Sequence, residues 1–386
     1  MKTILPALLL LPFLASAADS NWSTYLGDKA SSHYSTLKQI TPRNVAKLEV
    51  AWTFRAGGTD TNNRSQIQCN PLVIDGVLFG TTPDLQLVAV DAVTGRELWR
   101  FNPASVKGIA KSGVNRGLVH WAAGAERRIL YGNDHFLHAI DASTGEDIFT
   151  QICAACHGLD RMGNKAQNVP PLLGVEQRLK KPDVLALFKT GKGVMPAFDF
   201  LTENQRQLVV DYLLGSAPKT TPAPAVASNS GRKEEPGGVD VLGTVPYTMT
   251  GYHRWLDTNG YPAIKPPWGT LNAIDLNTGE YRWRVTLGEW PELTAKGIPP
   301  TGTENYGGPV VTAGGLVFIA ASRDEHIRAF DRKTGKELWK AKLPAAGYAT
   351  PATYSVNGRQ YLVIACGGGK IGTKSGDAYV AFALPK

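Results

Sequence analysis

One short pattern occurs four times in this 386-residue chain, and it constrains the fold more than any other feature. Each copy has an alternating strand, an aspartate, a Thr-Gly turn and an aromatic ring four positions after the glycine; the copies cover residues 88–99, 138–149, 272–283 and 328–339. Glycine supplies the positive φ that a tight turn needs, and the aspartate side chain can cap the turn. We expect each aromatic ring to pack between neighbouring sheets.

Further strands accompany these copies. Asp75-Gly76 and Asn357-Gly358 lie between apolar runs and favour two-residue hairpin turns. The copies recur at a spacing of about fifty residues, and three or four short strands at that period are typical of propeller blades. An open β-sandwich is the alternative, but periodic repeats favour radial closure. The sequence therefore predicts a mainly β fold built from blades.

The composition changes between the second and third copies. Residues 147 to about 215 lose the strand alternation, and the segment 182–191 begins with proline and ends with glycine, as a short helix should. Thr202 and Gln205 have capping-box spacing at the start of a second predicted helix. Residues 216–238 are rich in proline, alanine and serine and predict a flexible linker. A small helical module is therefore inserted into the β chain.

The module contains the sequence CAACH at residues 153–157. Two thiols at this spacing can add to the vinyl groups of haem, and the adjoining His157 can ligate the iron. The chain has no second C-x-x-C for a zinc site and no thioredoxin-like βαβ unit around the motif. We therefore predict covalent haem at Cys153 and Cys156. Cys69 and Cys366 remain either free thiols or one disulfide.

This module resembles a class I cytochrome c. The resemblance is carried by CAACHG, by PPLLG at 170–174, by GKGVMPAF at 191–198 and by a last helix ending in VVDYLL. It implies that Met195 is the second axial iron ligand, whereas Met162 lies too close to the attachment site. His/Met ligation favours a relatively high potential, which suits electron transfer rather than oxygen binding.

The β part resembles the pyrroloquinoline quinone (PQQ)-dependent dehydrogenases of the quinoprotein glucose/alcohol type. The matching segments are residues 68–82, 112–121, 266–289, 301–354 and 367–385. The resemblance implies that Gln68 and Arg116 contact PQQ. The planar guanidinium of Arg116 suits a carboxylate of that cofactor. It also places His120, Trp268 and Asn305 near the cofactor as further candidates.

Other readings of these side chains remain open. Arg116 can instead form a surface ion pair, and His120 can be a hydrogen-bonded strand histidine. His135 and His138 lie on a strand with nothing nearby in sequence to complete a metal site, so we interpret them as structural.

The sequence predicts a quinoprotein-type β-propeller with an incomplete or reduced number of blades and an inserted all-α cytochrome c domain. The expected boundaries are 1–17 for a signal peptide, 18–146 and 239–386 for the two propeller parts, 147–216 for the cytochrome c domain and 217–238 for the linker. The family has eight blades, whereas about 280 residues at this period provide five or six at most. Such a propeller either closes with fewer blades or associates with another chain.

No segment matches the central family region that supplies the catalytic aspartate, a lysine near the quinone and the calcium ligands. Catalytic residues are therefore unknown, and calcium is implied by the family without identified ligands. The net charge of +8 comes without a dense basic run, which argues against nucleic-acid binding. Beyond the signal peptide no segment is apolar enough to span a bilayer, so we expect a periplasmic or secreted protein.

The resemblance implies a PQQ-dependent dehydrogenase that oxidises a sugar or alcohol and passes electrons through haem c to a quinone or cytochrome. One alternative is an electron-transfer cytochrome c on a degenerate propeller without dehydrogenase activity. Another is a scaffold whose propeller docks a partner enzyme while the haem relays its electrons.

Overall fold

The fold consists of separate β-sheets and one helical unit. The computed structural model describes residues 19–103, 113–123, 126–133, 136–142, 149–158, 160–201, 206, 209–210, 212–214 and 253–386. These residues form five sheets, which we call blades 1 to 5 in chain order of their principal strands. The predicted signal peptide and the predicted linker lie outside the described residues.

The strands are short, as the repeat predicts. In chain order they are β1 (Tyr34–Ser35), β2 (Glu49–Arg55), β3 (Leu72–Ile74), β4 (Val77–Thr81), β5 (Leu87–Asp91), β6 (Glu97–Phe101), β7 (Val119–Ala123), β8 (Glu126–Asn133), β9 (Phe136–Asp141), β10 (Thr270–Ile274), β11 (Tyr281–Thr286), β12 (Val310–Thr312), β13 (Leu316–Ile319), β14 (His326–Asp331), β15 (Glu337–Lys342), β16 (Ala352–Val356), β17 (Arg359–Gly368) and β18 (Ser375–Ala383). Blade 1 has the strand order β3-β4-β5-β6, blade 2 β7-β8-β9, blade 3 β10-β11, blade 4 β1-β12-β13-β14-β15 and blade 5 β16-β17-β18-β2.

The helices whose full bounds fall within the described residues are short. The α-helices are α1 (Ala154–His157), α2 (Lys181–Thr190) and α3 (Pro291–Thr294), a π-helical turn covers Phe149–Cys153, and 3₁₀ turns cover Val45–Lys47, Lys165–Gln167 and Val175–Gln177. No helix among the described residues is long and apolar enough to cross a bilayer.

The repeat turns have the predicted chemistry. In blade 1, Asp91 Oδ1 accepts hydrogen bonds from the backbone N–H groups of Val93 at 3.0 Å and Thr94 at 2.8 Å. Gly95 then adopts a φ of 75°. The hairpin turn at Asp75-Gly76 has positive φ at both residues, 50° and 81°, which is the signature of type I′. These predicted turns are therefore confirmed, whereas the turn of the second copy, at residues 143–148, lies outside the described residues.

Tryptophan rings from one blade pack on the repeat turn of the next blade. A Cβ built on Gly95 of blade 1 would lie 2.8 Å from the Trp52 ring of blade 5, and one on Gly335 of blade 4 would lie 2.7 Å from the Trp283 ring of blade 3. In both cases the indole N–H donates to a backbone carbonyl of that turn at 3.0 Å. The turn glycine is therefore needed for its φ and also for the space it leaves.

The second repeat copy is an exception. The expectation that its ring packs between sheets is wrong, because Phe149 lies in the π-helical turn and is 1% exposed within the core of the helical unit. Its ring centroid is 5.6 Å from that of Tyr212. In blade 1 a fourth strand follows the repeat turn, whereas here the chain is helical from Phe149 to His157. This helical conformation brings Cys153 and Cys156, three positions apart, onto one helical face.

The N-terminal region joins distant blades. Strand β2 forms the outer strand of blade 5 by antiparallel pairing with β18, for example Thr53 opposite Val380. Strand β1 pairs in parallel with β12 of blade 4, and an isolated bridge joins Trp22 to Val73 of blade 1. Residues of blades 1, 2, 4 and 5 lie in one hydrophobic core.

The two end blades carry fewer strands and expose apolar side chains. Blade 2 has three strands and blade 3 has two, and the described sheets do not close into a ring. Leu137 of β9 is 74% exposed and Ile274 of β10 is 52% exposed, whereas Val88 on the corresponding strand of blade 1 is fully buried. The chain is mainly β with an incomplete propeller, as predicted.

The helical unit has its own core of Phe149, Cys153, Val175, Val184, Phe188, Leu201, Val209, Val210 and Leu213. Helix α2 covers the segment predicted from its proline and glycine boundaries, and it ends at Gly191 with a φ of 68°. Helical residues at 206, 209–210 and 212–213 lie in the second predicted helix, whose predicted cap at residues 202–205 is outside the described residues.

Candidate functional site

The predicted haem attachment motif lies where the π-helical turn runs into α1. His157 is 9% exposed, and its Nδ1 lies 3.0 Å from the carbonyl oxygen of Pro170. Since a carbonyl only accepts, Nδ1 carries the proton and Nε2 keeps its lone pair for a metal. The two neighbouring thiols and this imidazole together form the donor set that a c-type haem requires.

No disulfide joins any two of the four cysteines. Cys156 is exposed, whereas burial raises the pKa of Cys153 to about 12. Burial also raises the pKa of Cys69 to about 11 and raises that of Cys366. The alternative left open by the sequence is therefore settled for Cys69 and Cys366, which are buried thiols and form no disulfide.

Met195 lies in a tight turn of the same helical unit. The backbone N–H groups of Lys192 and Met195 each donate to the other residue's carbonyl at 3.0 Å. Gly191 and Gly193 have φ values of 68° and 61°, and a Cβ on Gly191 would lie 2.6 Å from the Met195 carbonyl oxygen. Met195 packs against the core of the unit, whereas Met162 is 57% exposed. Axial ligation by Met195 remains a prediction.

The loop that follows Met195 contacts blade 1. The Arg96 guanidinium lies 4.0 Å above the centroid of the Phe200 ring. Phe200 packs edge-on against Phe198 at 5.8 Å, and Phe198 packs edge-on against Phe188 of α2 at 5.7 Å. Sequence reasoning missed this contact, because no local pattern relates a blade turn to a residue about a hundred positions later.

A cavity of about 800 Å³ lies on the face of the blades. Its wall consists of Tyr25, Gln68, Asn70, Arg116, His253, Arg254, Glu304, Tyr306, Gly307, Tyr348, Thr350, Lys370 and Ile371. Two predicted residues, Gln68 and Arg116, meet there, and Arg116 Nε donates to Gln68 Oε1 at 3.4 Å. A parallel bridge between Asn70 and Gly117 brings their two segments together.

The other predicted cofactor contacts are not part of this wall. His120 is half-buried on β7, and burial together with the charge of Arg127 lowers its pKa. Trp268 donates from Nε1 to the Ile264 carbonyl at 2.8 Å, away from the cavity. Asn305 is exposed between two residues that do line the cavity.

The structural interpretation of the strand histidine agrees with its surroundings. The His138 ring is stacked on Tyr131 with centroids 5.1 Å apart, and burial lowers its pKa. His135 lies outside the described residues. Among the residues that the structure describes, no group of three or more His, Cys, Asp or Glu side chains is placed to hold a metal ion. Calcium ligands therefore stay unidentified.

Sequence reasoning missed several cavity residues. Arg254 Nε donates to Glu304 Oε1 at 3.1 Å, and the Lys370 ammonium lies 3.8 Å from the centroid of the Tyr306 ring. Glu304, Tyr306 and Lys370 fall within segments that carry the family resemblance, and this location could have marked them as candidate cavity residues. Their convergence depends on the packing of blades 4 and 5.

Comparison with known families agrees with both parts of the chain. Residues 22–150 and 190–362 match the PQQ family described as glucose/ethanol/alcohol dehydrogenase, beta-propeller domain. Residues 140–213 match the family described as cytochrome C oxidase, cbb3-type, subunit III.

Several curated proteins are similar to part of the chain. It is 40% identical over 172 residues to the quinate/shikimate dehydrogenase (quinone) of Acinetobacter baylyi. The aligned region covers 42% of this chain and 21% of that protein. It is 44% identical over 148 residues to the quinoprotein glucose dehydrogenase of Escherichia coli. This aligned region covers 36% of this chain and 18% of that protein. The chain thus spans about a fifth of the length of these relatives.

Solved structures give weaker matches. The quinohemoprotein alcohol dehydrogenase of Pseudomonas putida HK5 is 16% identical with a TM-score of 0.47, covering 95% of this chain and 80% of that chain. The quinohemoprotein alcohol dehydrogenase of Comamonas testosteroni is 14% identical with a TM-score of 0.40, covering 96% and 81%. The family matches are what assign the chain: it belongs to the PQQ glucose/ethanol/alcohol dehydrogenase β-propeller family and carries an inserted cytochrome c domain.

Proposed function

We propose that this protein is a periplasmic quinohaemoprotein dehydrogenase that oxidises a sugar or alcohol with PQQ and passes the electrons to haem c at Cys153 and Cys156. The observation that carries the proposal is the cavity whose wall brings Gln68 and Arg116 together from two family-matching segments. The names of the relatives refer to glucose and quinate, which are both polyhydroxylated, and this supports a hydroxylated substrate.

The cavity fits an anionic, planar cofactor. Its volume of about 800 Å³ falls in the usual range for ligand sites. Tyr25, Tyr306 and Tyr348 provide aromatic surface on its wall. Among the described residues no carboxylate lies within ion-pair distance of Arg116 or Lys370, so the wall presents positive charge that an anion can neutralise.

When bound, PQQ supplies a two-electron acceptor for the alcohol carbon. Arg116 would hold a carboxylate of the cofactor through its planar fork, and Gln68 would fix the orientation of that fork. The Gln68 amide is itself held, because its Nε2 donates to Gln66 Oε1 at 2.6 Å. The reaction also needs a base for the hydroxyl proton. Glu304 is the carboxylate on the described wall, but it is already engaged by Arg254.

On the haem side, His157 and Met195 are the proposed axial ligands. The Pro170 carbonyl would keep His157 Nε2 directed to the iron and would raise its basicity. We further propose the domain boundaries expected from the sequence, export directed by residues 1–17, and a quinone or cytochrome as the downstream acceptor. Calcium belongs to the proposal only through the family.

A second function is an electron-transfer cytochrome c on a degenerate propeller without dehydrogenase activity. Two observations favour it: the wall carboxylate is held by an arginine, and the end blades have fewer than four strands among the described residues. Neither observation weakens the haem part of the proposal, so the two functions differ only in whether substrate can reduce the haem.

One experiment separates them. The purified haem protein is incubated with PQQ and calcium, and the haem absorption is followed after addition of glucose, quinate or simple alcohols. Haem reduction that requires both PQQ and substrate would establish the dehydrogenase. Haem that dithionite reduces and no substrate reduces would leave the electron-transfer function instead.

A further inference from the structure

The loop between β17 and β18 forms one side of the cavity wall. Its first part, together with Gly368 at the end of β17, is called loop 368–372 below, and Lys370 and Ile371 of this part line the cavity. Nothing in the resemblance assigned a role to either residue.

The loop backbone is unusually constrained. Gly368, Gly369, Ile371 and Gly372 all have positive φ, with values of 50°, 65°, 45° and 79°. Positive φ is strained for a β-branched residue, and such strain persists only where the surroundings impose it. A Cβ on Gly369 would also lie 2.1 Å from the Ser65 carbonyl oxygen. The loop is therefore packed tightly onto the segment that leads to the predicted cofactor contacts.

Hydrogen bonds hold the backbone of Lys370 in place. Its carbonyl accepts from Thr373 N at 3.0 Å, from Thr373 Oγ1 at 2.8 Å and from Tyr348 Oη at 3.4 Å. The backbone direction at Lys370 is thus fixed by blade 5 and by a tyrosine that itself lines the cavity.

The side chain of Lys370 is fixed as well. Its ammonium lies 3.8 Å from the centroid of the Tyr306 ring, within the distance of a cation–π contact. No described carboxylate lies within ion-pair distance of this ammonium, whereas the neighbouring Lys374 lies 4.0 Å from Glu325. Arg116 lines the same cavity, and burial together with the charge of this arginine lowers the pKa of Lys370.

We propose that the strained loop 368–372 presents Lys370 as a second cationic contact, in addition to Arg116, for a carboxylate of the anionic cofactor. This inference rests on the proposed function, because it uses the same cavity. Tyr306 keeps the ammonium extended into the cavity, and the loop glycines allow the close approach to the Gln68 segment that the site needs.

The test measures binding without turnover. PQQ binding to the full-length haem protein is followed by equilibrium dialysis for the wild type, Lys370→Met, Lys370→Arg and the matched control Lys374→Met. We expect Lys370→Met to weaken binding at least about tenfold, since hydrogen bonds to charged groups are the stronger ones. Lys374→Met should change binding less than about twofold, as expected for an exposed charge. Lys370→Arg, which keeps the charge, should recover part of the loss.

A second probe separates failure of this inference from failure of the proposed function. Benzene-1,3,5-tricarboxylate carries the same kind of anionic groups without the quinone. Equal binding of PQQ by wild type and Lys370→Met would overturn the role of Lys370 and leave the proposed function intact. Lys370-dependent binding of the tricarboxylate without PQQ binding would support the cationic contact and overturn the proposed cofactor. Binding of neither ligand by the wild type would overturn both.

Discussion

Single residues set the chemistry of the helical unit, and His157 is the clearest example. Its protonated Nδ1 and free Nε2 follow from one hydrogen bond to a proline carbonyl 13 positions later. That proline lies in the PPLLG segment, so the sequence resemblance and the imidazole geometry refer to the same contact. On the opposite side of the iron, Met195 is the proposed ligand.

Met195→Ala should remove the thioether charge-transfer band of the oxidised haem and lower its reduction potential, because His/Met ligation raises the potential. Optical spectroscopy and a redox titration measure both quantities. Met162→Ala is the control, since that side chain is 57% exposed and should leave the spectrum unchanged. An unaltered band in Met195→Ala would rule out this ligand.

Asp324 and Arg328 form a buried ion pair in blade 4. Their exposed fractions are 5% and 3%, and Arg328 Nη1 donates to Asp324 Oδ1 at 3.1 Å. Asp324→Ala should lower the free energy of unfolding by about 1.5–3 kcal/mol, because the buried Arg328 guanidinium loses its hydrogen bonds to Asp324 but keeps its ion pair with Glu337 at 3.1 Å. Arg55→Ala, which breaks an exposed pair, should cost no more than about 1 kcal/mol. Urea unfolding at pH 7 measures both values.

The same pair predicts a pH dependence. Burial alone raises the pKa of Asp324, but the hydrogen bonds and charge of Arg328 outweigh it and hold the pKa below the ordinary value of 3.8. A lowered native pKa stabilises the fold above the unfolded pKa, and this contribution is lost as the pH falls through the native pKa. Urea titrations from pH 5 to pH 2 should therefore show falling stability in the wild type and a smaller slope in Asp324→Asn. Equal slopes would contradict this role.

At the scale of elements, the repeat turn shows how local and non-local demands combine. Gly95, Gly279 and Gly335 occupy the same position with φ values of 75°, 76° and 72°. A tryptophan ring from the adjacent blade covers two of them, while a Cβ on Gly279 would meet nothing within 4 Å. Gly279 lies in blade 3, at the open end of the described sheets, where no described blade supplies a ring.

This difference provides a matched comparison. Gly279→Ala should cost only the strain of positive φ, about 1–3 kcal/mol in the free energy of unfolding. Gly95→Ala should cost clearly more, because its methyl group would also displace the Trp52 ring. Chemical unfolding followed by tryptophan fluorescence measures both free energies. Equal losses would show that the Trp52 ring does not require a glycine at position 95.

For the whole molecule, two contacts decide how the parts are held together. The pairing of β2 with β18 joins the two chain ends within blade 5, and the Arg96–Phe200 contact holds the cytochrome c domain against blade 1. Arg96 Nε and Nη2 are buried with no hydrogen-bond partner among the described residues, and the Phe200 ring and the Asp91 carboxylate both lie near its charge.

Arg96→Met and Phe200→Leu should each loosen the cytochrome c domain from the propeller, because a cation–π contact needs both partners. We expect a larger radius of gyration by small-angle X-ray scattering, with the haem spectrum unchanged. Arg100→Met is the control. Arg100 lies in the same blade but pairs with Glu97, so its substitution should leave the radius of gyration unaltered. A radius that stays constant in Arg96→Met and Phe200→Leu would mean that other contacts hold the domain.

Local features were predictable from the sequence because nearby residues alone determine them. The hairpins, the repeat turns, α2 and the haem motif each depend on side chains within a few positions of one another. Resemblance to a family extended this reach to Gln68 and Arg116, which do share a cavity wall. It also suggested His120, which lies on a strand away from that wall.

The sequence by itself determined the blade repeat, the inserted cytochrome c domain and the donor set for haem. Only the tertiary structure decided that the described sheets do not close into a ring, that Phe149 packs into the helical core and that Lys370 reaches Tyr306 in the cavity. The reason is physical. Turn geometry and helix boundaries are encoded by neighbouring residues, whereas these contacts join residues that only the packing of separate blades and of the helical unit brings together.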